Sequence, residues 1–190
     1  MGLTVTTSSE IPSTVLDRAQ AHCRAPDRDL DSVMLYLEGA VSDFENFTFR
    51  ALWNTTYKWT FPDFGSLIEL HLPRTPVVSV ASVKYYDTDG ALQTFASSNY
   101  TVSVNDQMQG VIRLNDSASW PDVDDDKLEG VEIAFVAGYG DDMDDVPGLV
   151  LNSLLVYAGH LYDNRTAEAM EDLQVVRDRC FKRFKARFLG

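Results

Sequence analysis

The apolar residues of this chain change period twice, and that change limits the architecture more than any other feature. Up to about residue 52 they recur at helical spacing. From 55 to 137 they largely alternate, and from 147 onward the helical spacing returns. A chain patterned in this way reads as an α+β protein. Its helical core comes from both ends, and an antiparallel β lobe is inserted between them.

The strongest helical stripe is Leu30, Val33, Leu37, Val41, Phe44 and Phe47, with Asp43 and Glu45 off it, which predicts a helix over 29–52. Gly39 lies inside this stripe. A glycine there costs up to ~1 kcal/mol against alanine, which implies a close backbone approach. A shorter helix over 14–24 rests on Val15, Leu16, Ala19 and Cys23. Pro26 closes it, because the residue before a proline avoids helical geometry. Asp27 or Asp29 is placed to cap the next helix.

The middle predicts about six or seven short strands. They fall at 55–61, 67–72, 80–86, 92–95, near 100–104, at 111–114 and at 131–137. Asp87-Thr88-Asp89-Gly90 reads as a hairpin turn. Nothing between the strands is long enough for crossover helices, so the pairing is antiparallel. Pro147 opens a helix with a broad apolar face, from Val150 and Leu151 to Leu161 and Tyr162. A last helix over 167–188 carries Leu173, Val176, Cys180, Phe184 and Phe188 near one stripe and basic residues on the other face. The chain thus divides into a helical part (1–54), a β lobe (55–140), a core helix (141–165) and a basic C-terminal helix or tail (166–190). About four helices are expected in all.

Hydrophobic residues make up 45% of the chain, enough for a real core, and no apolar run approaches the ~20 residues of a membrane span. The N-terminal residues lack the basic and apolar regions of a secretory signal, so no membrane association is expected. Met1-Gly2 with Thr6 matches the myristoylation pattern only loosely. Cys23 and Cys180 form no disulfide framework and no zinc site. Asn46, Asn54, Asn99, Asn115 and Asn164 head glycosylation sequons in pattern only.

Charge is the informative part of the composition. The net charge is −13, yet after Arg165 six basic residues stand against four acidic ones. An acidic body argues against gripping nucleic acid. A basic end on it suits an acidic partner or a second copy of the chain. Arg177, Arg179, Lys182, Arg183, Lys185 and Arg187, with Phe181, Phe184 and Phe188 as apolar anchors, form the candidate docking segment. The same residues also fit the solvated face of an ordinary amphipathic helix.

No motif carries catalysis. Asp122, Asp124, Asp125 and Asp126 resemble a calcium loop, but Lys127 stands where the tight-turn glycine belongs, so a solvated acidic loop is the reading. Asp141, Asp142, Asp144 and Asp145 are expected to favour the following helix N-terminus. His22, His71 and His160 are isolated, and Gly138-Tyr139-Gly140 reads as a strand-end turn. No catalytic residue, metal or cofactor is expected, and the chain is read as no enzyme.

Several segments, taken in order, resemble the head–tail connector (adaptor) family of tailed bacteriophages and gene transfer agents. They are Phe44-Glu45-Asn46-Phe47-Thr48-Phe49-Arg50-Ala51-Leu52, then Leu72-Pro73-Arg74-Thr75-Pro76-Val77-Val78-Ser79-Val80 with Ser82-Val83-Lys84-Tyr85-Tyr86-Asp87-Thr88-Asp89-Gly90. Tyr100-Thr101-Val102, Trp120-Pro121, Val136-Ala137-Gly138-Tyr139-Gly140, Val146-Pro147 and Tyr162-Asp163-Asn164-Arg165 follow. The family continues with Glu where Thr166 stands. The resemblance implies a ring of about twelve copies beneath the portal, closed by heterologous contacts. It implies a portal protein on one side and the next neck or tail protein (stopper or tail terminator) on the other. Genome DNA would pass through without sequence-specific binding. The location implied is the virion neck, with host cytoplasm during assembly, and portal docking falls to the basic C-terminal segment. Two other readings remain open: a different neck or tail completion protein, and an acidic receptor- or carbohydrate-binding β module using Trp59 or Trp120.

Overall fold

The computed structural model describes residues 2–164 and 172–186. They fall into two compact units. One is helical, built from Ser9–Trp53 and the described residues from Tyr139 onward. The other is β-rich, built from the strand ending at Ser8 and from Asn54–Gly138. Among the described residues there are four α-helices and eight strands.

The helical unit is built on α1 (Ser13–Cys23), α2 (Leu30–Thr48), α3 (Gly148–Asp163) and α4 (Leu173–Phe181). Helix α1 ends before Pro26, as the sequence predicts, with Arg24 in the left-handed C-cap conformation. The entry to α2 differs from expectation. Asp27–Asp29 forms a 3-10 turn, and no aspartate side chain caps the helix. Helix α2 buries Val33, Leu37, Ala40, Phe44 and Thr48, one residue per turn along a single stripe. The close approach expected at Gly39 is absent, since a Cβ there would meet nothing within 4 Å. Helix α3 is buried on most of its circumference, so it is the central helix of this unit. The aspartates before it do not sit in its first turn. Asp145 instead accepts the backbone N–H groups of Asp141 and Asp142, closing their own 3-10 turn at Met143–Asp145.

The β unit contains a five-stranded sheet in the order β1-β2-β8-β4-β5 and a three-stranded sheet in the order β3-β7-β6, all antiparallel. The strands are β1 (Gly2–Ser8), β2 (Thr55–Phe61), β3 (Glu69–His71), β4 (Val77–Tyr86), β5 (Leu92–Phe95), β6 (Tyr100–Val104), β7 (Gly110–Leu114) and β8 (Val131–Ala137). Strand β8 is central, and its strict alternation puts Val131, Ile133, Phe135 and Ala137 on the buried face. Strand β1 joins the sheet from within the stretch that the apolar pattern assigns to the helical part. The Asp87–Gly90 turn forms as expected. The Asp87 carboxylate accepts from the Gln93 amide and from the N–H groups of Ala91 and Asp89, which holds its pKa below the usual carboxylate value. Gly90 supplies the positive φ of 78° that this turn requires.

The two tryptophans considered as ligand platforms are structural. Trp59 is buried beside Phe61. Trp120 stacks on Phe64 with ring centroids 4.3 Å apart and donates its indole N–H to the Leu67 carbonyl. Trp59 therefore offers no ring face to a sugar, and Phe64 covers one face of Trp120.

Candidate docking surface at the C-terminal segment

The candidate segment begins with α4, and the structure divides its residues into two sets. Phe181 is fully buried in its own helical unit, edge-on to Phe44 at 5.1 Å and tilted against Tyr157 at 4.8 Å. Phe184 is half-buried and lies 6.1 Å from Phe44. These rings fasten the segment to its own chain. Arg177 is likewise engaged, 3.9 Å from the Asp43 carboxylate and 4.5 Å above the Phe47 ring. Arg179, Lys182, Arg183 and Lys185 are exposed, and they form the cationic surface. Arg187 and Phe188 lie outside the described residues.

The end of α2 holds this segment in place. Thr48 donates its hydroxyl to the Phe44 carbonyl at 2.7 Å, and Phe49 turns the chain out of the helix at φ 59°. Glu45 accepts the N–H of Leu52 at 2.8 Å, fixing the exit. Arg50 then donates Nε–H to the Phe184 carbonyl at 2.6 Å and an Nη1 hydrogen to the Tyr139 hydroxyl at 3.3 Å. Ala186 donates its N–H to the Thr48 carbonyl at 2.8 Å. Lys185 sits over Phe47 and Phe49, at 5.2 and 5.9 Å from the ring centroids. Arg183 donates to the buried Ser153 hydroxyl at 3.1 Å while its guanidinium lies over Phe184. The stretch 44–52, which closes the helical stripe and carries part of the resemblance to connectors, serves as the cradle of the C-terminal segment.

Asp43 lies off the apolar stripe of α2, yet it is not a free solvent-side residue. It accepts a 2.6 Å hydrogen bond from the Tyr157 hydroxyl as well as facing Arg177. Burial, reinforced by that carboxylate, pushes the Tyr157 phenol well above its ordinary pKa. Burial also raises the Cys180 thiol, with Arg183 partly opposing it, so this cysteine is a packing residue. Asp43, Arg50 and Glu45 carry no periodic signal in the sequence; only their place beside the aromatic run at 44–49 marks them. Among the described residues no group of His, Cys, Asp and Glu side chains is arranged to hold a metal ion. No described helix is long and apolar enough to cross a membrane. The arrangement offers recognition by fixed charge.

No protein-family model matches the chain, and no curated protein matches it. Solved structures do. A chain from the neck of an empty gene transfer agent particle, computed with C6 symmetry, superposes with a TM-score of 0.76 at 23% identity, covering 100% of this chain and 98% of that one. A chain from the virion of a native gene transfer agent particle gives 0.75 at 23% identity, and one from the native particle's neck, computed with C12 symmetry, gives 0.73 at 24%, with the same coverage. This chain has the fold of those neck chains. The likeness runs through both units, so the insertion of a β unit into a helical one is the shared architecture.

Proposed function

We propose that this protein is a structural subunit of the neck of a phage-like particle, a head–tail connector that forms a ring beneath the portal and joins the DNA-filled head to the tail. The observation that carries this reading is the end-to-end correspondence with neck chains from assemblies of cyclic symmetry. The order of the sequence segments that resemble connectors supports it. So does the charge. A net −13 suits the wall of a channel through which a duplex slides, because the wall repels phosphates. On this reading the portal protein meets the exposed Arg179, Lys182, Arg183 and Lys185, and the next neck or tail protein meets the ring's other side. The ring has about twelve copies and no catalytic role.

Phe181 and Phe184 act in this proposal as anchors within the subunit, holding the cations in fixed positions. A pre-ordered charged face loses less entropy on binding than a free tail does. The test is a pull-down with the assembled portal ring encoded beside this chain. It compares wild type with the triple variant Arg179→Glu, Lys182→Glu, Lys185→Glu. Wild-type binding reduced at least tenfold by charge reversal supports both connector and docking face. Equal binding keeps the connector and makes the basic face a solvated one. Absence of wild-type binding removes the connector reading and favours a tail-side completion protein.

A further inference from the structure

The exposed surface of this acidic protein contains a long uncharged tract. From Gly90 to Asn105 no residue bears a charge, and from Ala91 to Val104 only Phe95 is buried. The tract holds β5 and β6, each at the edge of its sheet. Sheet edges are commonly protected by charge, proline, bulges or brevity. Strand β3 is three residues long with Glu69 and His71, β5 has four residues, and β1 carries a register shift between Val5 and Thr7. Strand β6, Tyr-Thr-Val-Ser-Val, has none of these devices and pairs with β7 in unbroken register.

Its hydrogen-bond phase shows which groups are offered. Asn105 donates to Gln109 and Asn115 donates to Asn99, both at 3.0 Å, so the odd-numbered positions bond inward to β7. The N–H and C=O groups of Tyr100, Val102 and Val104 therefore point outward. No described strand takes them up. Beneath them the apolar row is uncovered toward the edge. Ile112 of β7 is fully buried, Val102 opposite it is 36% exposed, and Val104 is 49% exposed. An added strand would satisfy the polar groups and cover both valines.

We infer that β6 is the contact strand between neighbouring copies of this chain, accepting β1 of the next copy. This rests on the ring reading above. Two bodies of charge −13 repel overall, and a contact across a neutral strip avoids placing like charges face to face. Residues 2–9 and 90–105 supply two such strips at sheet edges. Pairing of β6 with another β6 would be isologous and would stop at a dimer, whereas a ring needs two different surfaces. Strand β1 is the longer of the other uncharged edges; its register shift lies after Val5, so Gly2–Val5 remain a regular edge, with Val5 52% exposed.

The experiment uses the full chain and two variants, each blocked at one edge, with masses read by sedimentation equilibrium. Val102→Pro removes an outward N–H and costs β6 no bond to β7. Val5→Lys places a charge on β1. Wild type is expected to form rings, alone or on portal rings, while each variant alone remains monomeric. An equimolar mixture is expected to give one-to-one heterodimers through the remaining intact pair of edges. Rings formed by Val102→Pro at wild-type concentrations would overturn the proposal and leave the ring reading intact. Dimers of Val5→Lys alone would overturn the β1 pairing in favour of β6 on β6. A wild type that stays monomeric even with portal removes the ring reading and this inference together. Circular dichroism checks each fold, and Val104→Lys, which leaves the backbone unchanged, replaces Val102→Pro if that variant fails to fold.

Discussion

Replacing Phe181 by alanine separates the two roles of the C-terminal segment, packing and charge display. The side chain is 0% exposed and lies against Phe44 and Tyr157. Truncating a buried phenylalanine loses its transfer free energy and leaves a cavity, together about 3–5 kcal/mol. The whole stability of a domain is typically about 5–15 kcal/mol, so the loss is a large fraction. With a urea dependence of about 2 kcal/mol/M, a loss of about 4 kcal/mol moves the midpoint down by roughly 2 M. The assay is urea denaturation followed by the helical circular dichroism signal. Phe181→Leu keeps most of the volume and should cost no more than about 1.5 kcal/mol. Arg179→Ala, on the exposed face, should stay within about 0.5 kcal/mol of wild type. A Phe181→Ala loss below about 1 kcal/mol would refute the reasoning, because α4 would then not belong to the helical core and the basic residues would sit on a loosely held arm.

Three further outcomes follow from local geometry. A Cβ on Gly110 would fall 2.8 Å from Val77 Cγ2 and 2.9 Å from Leu72 Cδ1, so Gly110→Ala should destabilise the β unit by about 1–3 kcal/mol, read as a lowered thermal midpoint. The Asp87 carboxyl should titrate below its ordinary 3.8 by NMR. Its folded value is depressed, so the turn is favoured above 3.8 and loses that support as pH falls through the folded value; a midpoint at or above 3.8 would show that the turn hydrogen bonds do not persist. Burial raises both thiols, so a thiol reagent at about pH 7 should label Cys23 and Cys180 far more slowly than an unfolded control in urea, and labelling at the unfolded rate would contradict the packing around them.

The parts of the fold legible in sequence are those where one face is buried and the other is wet. Strand β8 and the stripe of α2 announce themselves in this way. Strand β1 does not, because its residues from Thr4 to Ser8 are exposed at a sheet edge and bury no alternating set. Trp59 misleads for the opposite reason. In β2 almost every position is covered, and the residues that cover it are distant in sequence. Gly39 shows the limit of a propensity argument, since a glycine on the open side of a helix lowers propensity without marking a contact. At the candidate site, periodicity predicts one helix over 167–188, whereas α4 ends at Phe181 and Lys182–Phe184 form a 3-10 turn, which brings Phe184 back onto Phe44. Periodicity does not say whether Phe181 and Phe184 meet a partner or their own chain, because both bury the same apolar surface.

That ambiguity bears on what the stretch 44–52 is for. If the C-terminal segment were a free arm, Thr48 and Arg50 would have no reason to converge on it. They do converge. The α2 end donates from Arg50 to the Phe184 carbonyl, accepts from Ala186 at the Thr48 carbonyl, and carries Phe47 and Phe49 beneath Lys185. The first two contacts restrain backbone, the third holds the Lys185 ammonium over the rings, and Arg179, Lys182 and Lys185 stay exposed. The Lys185 ammonium, held over the Phe47 and Phe49 rings yet exposed, has lost part of its rotamer freedom, so less remains to be lost when an acidic partner arrives. The motif that resembles connectors thus acts on the surface that the proposed docking requires, through the positions of the charges and without touching the partner itself.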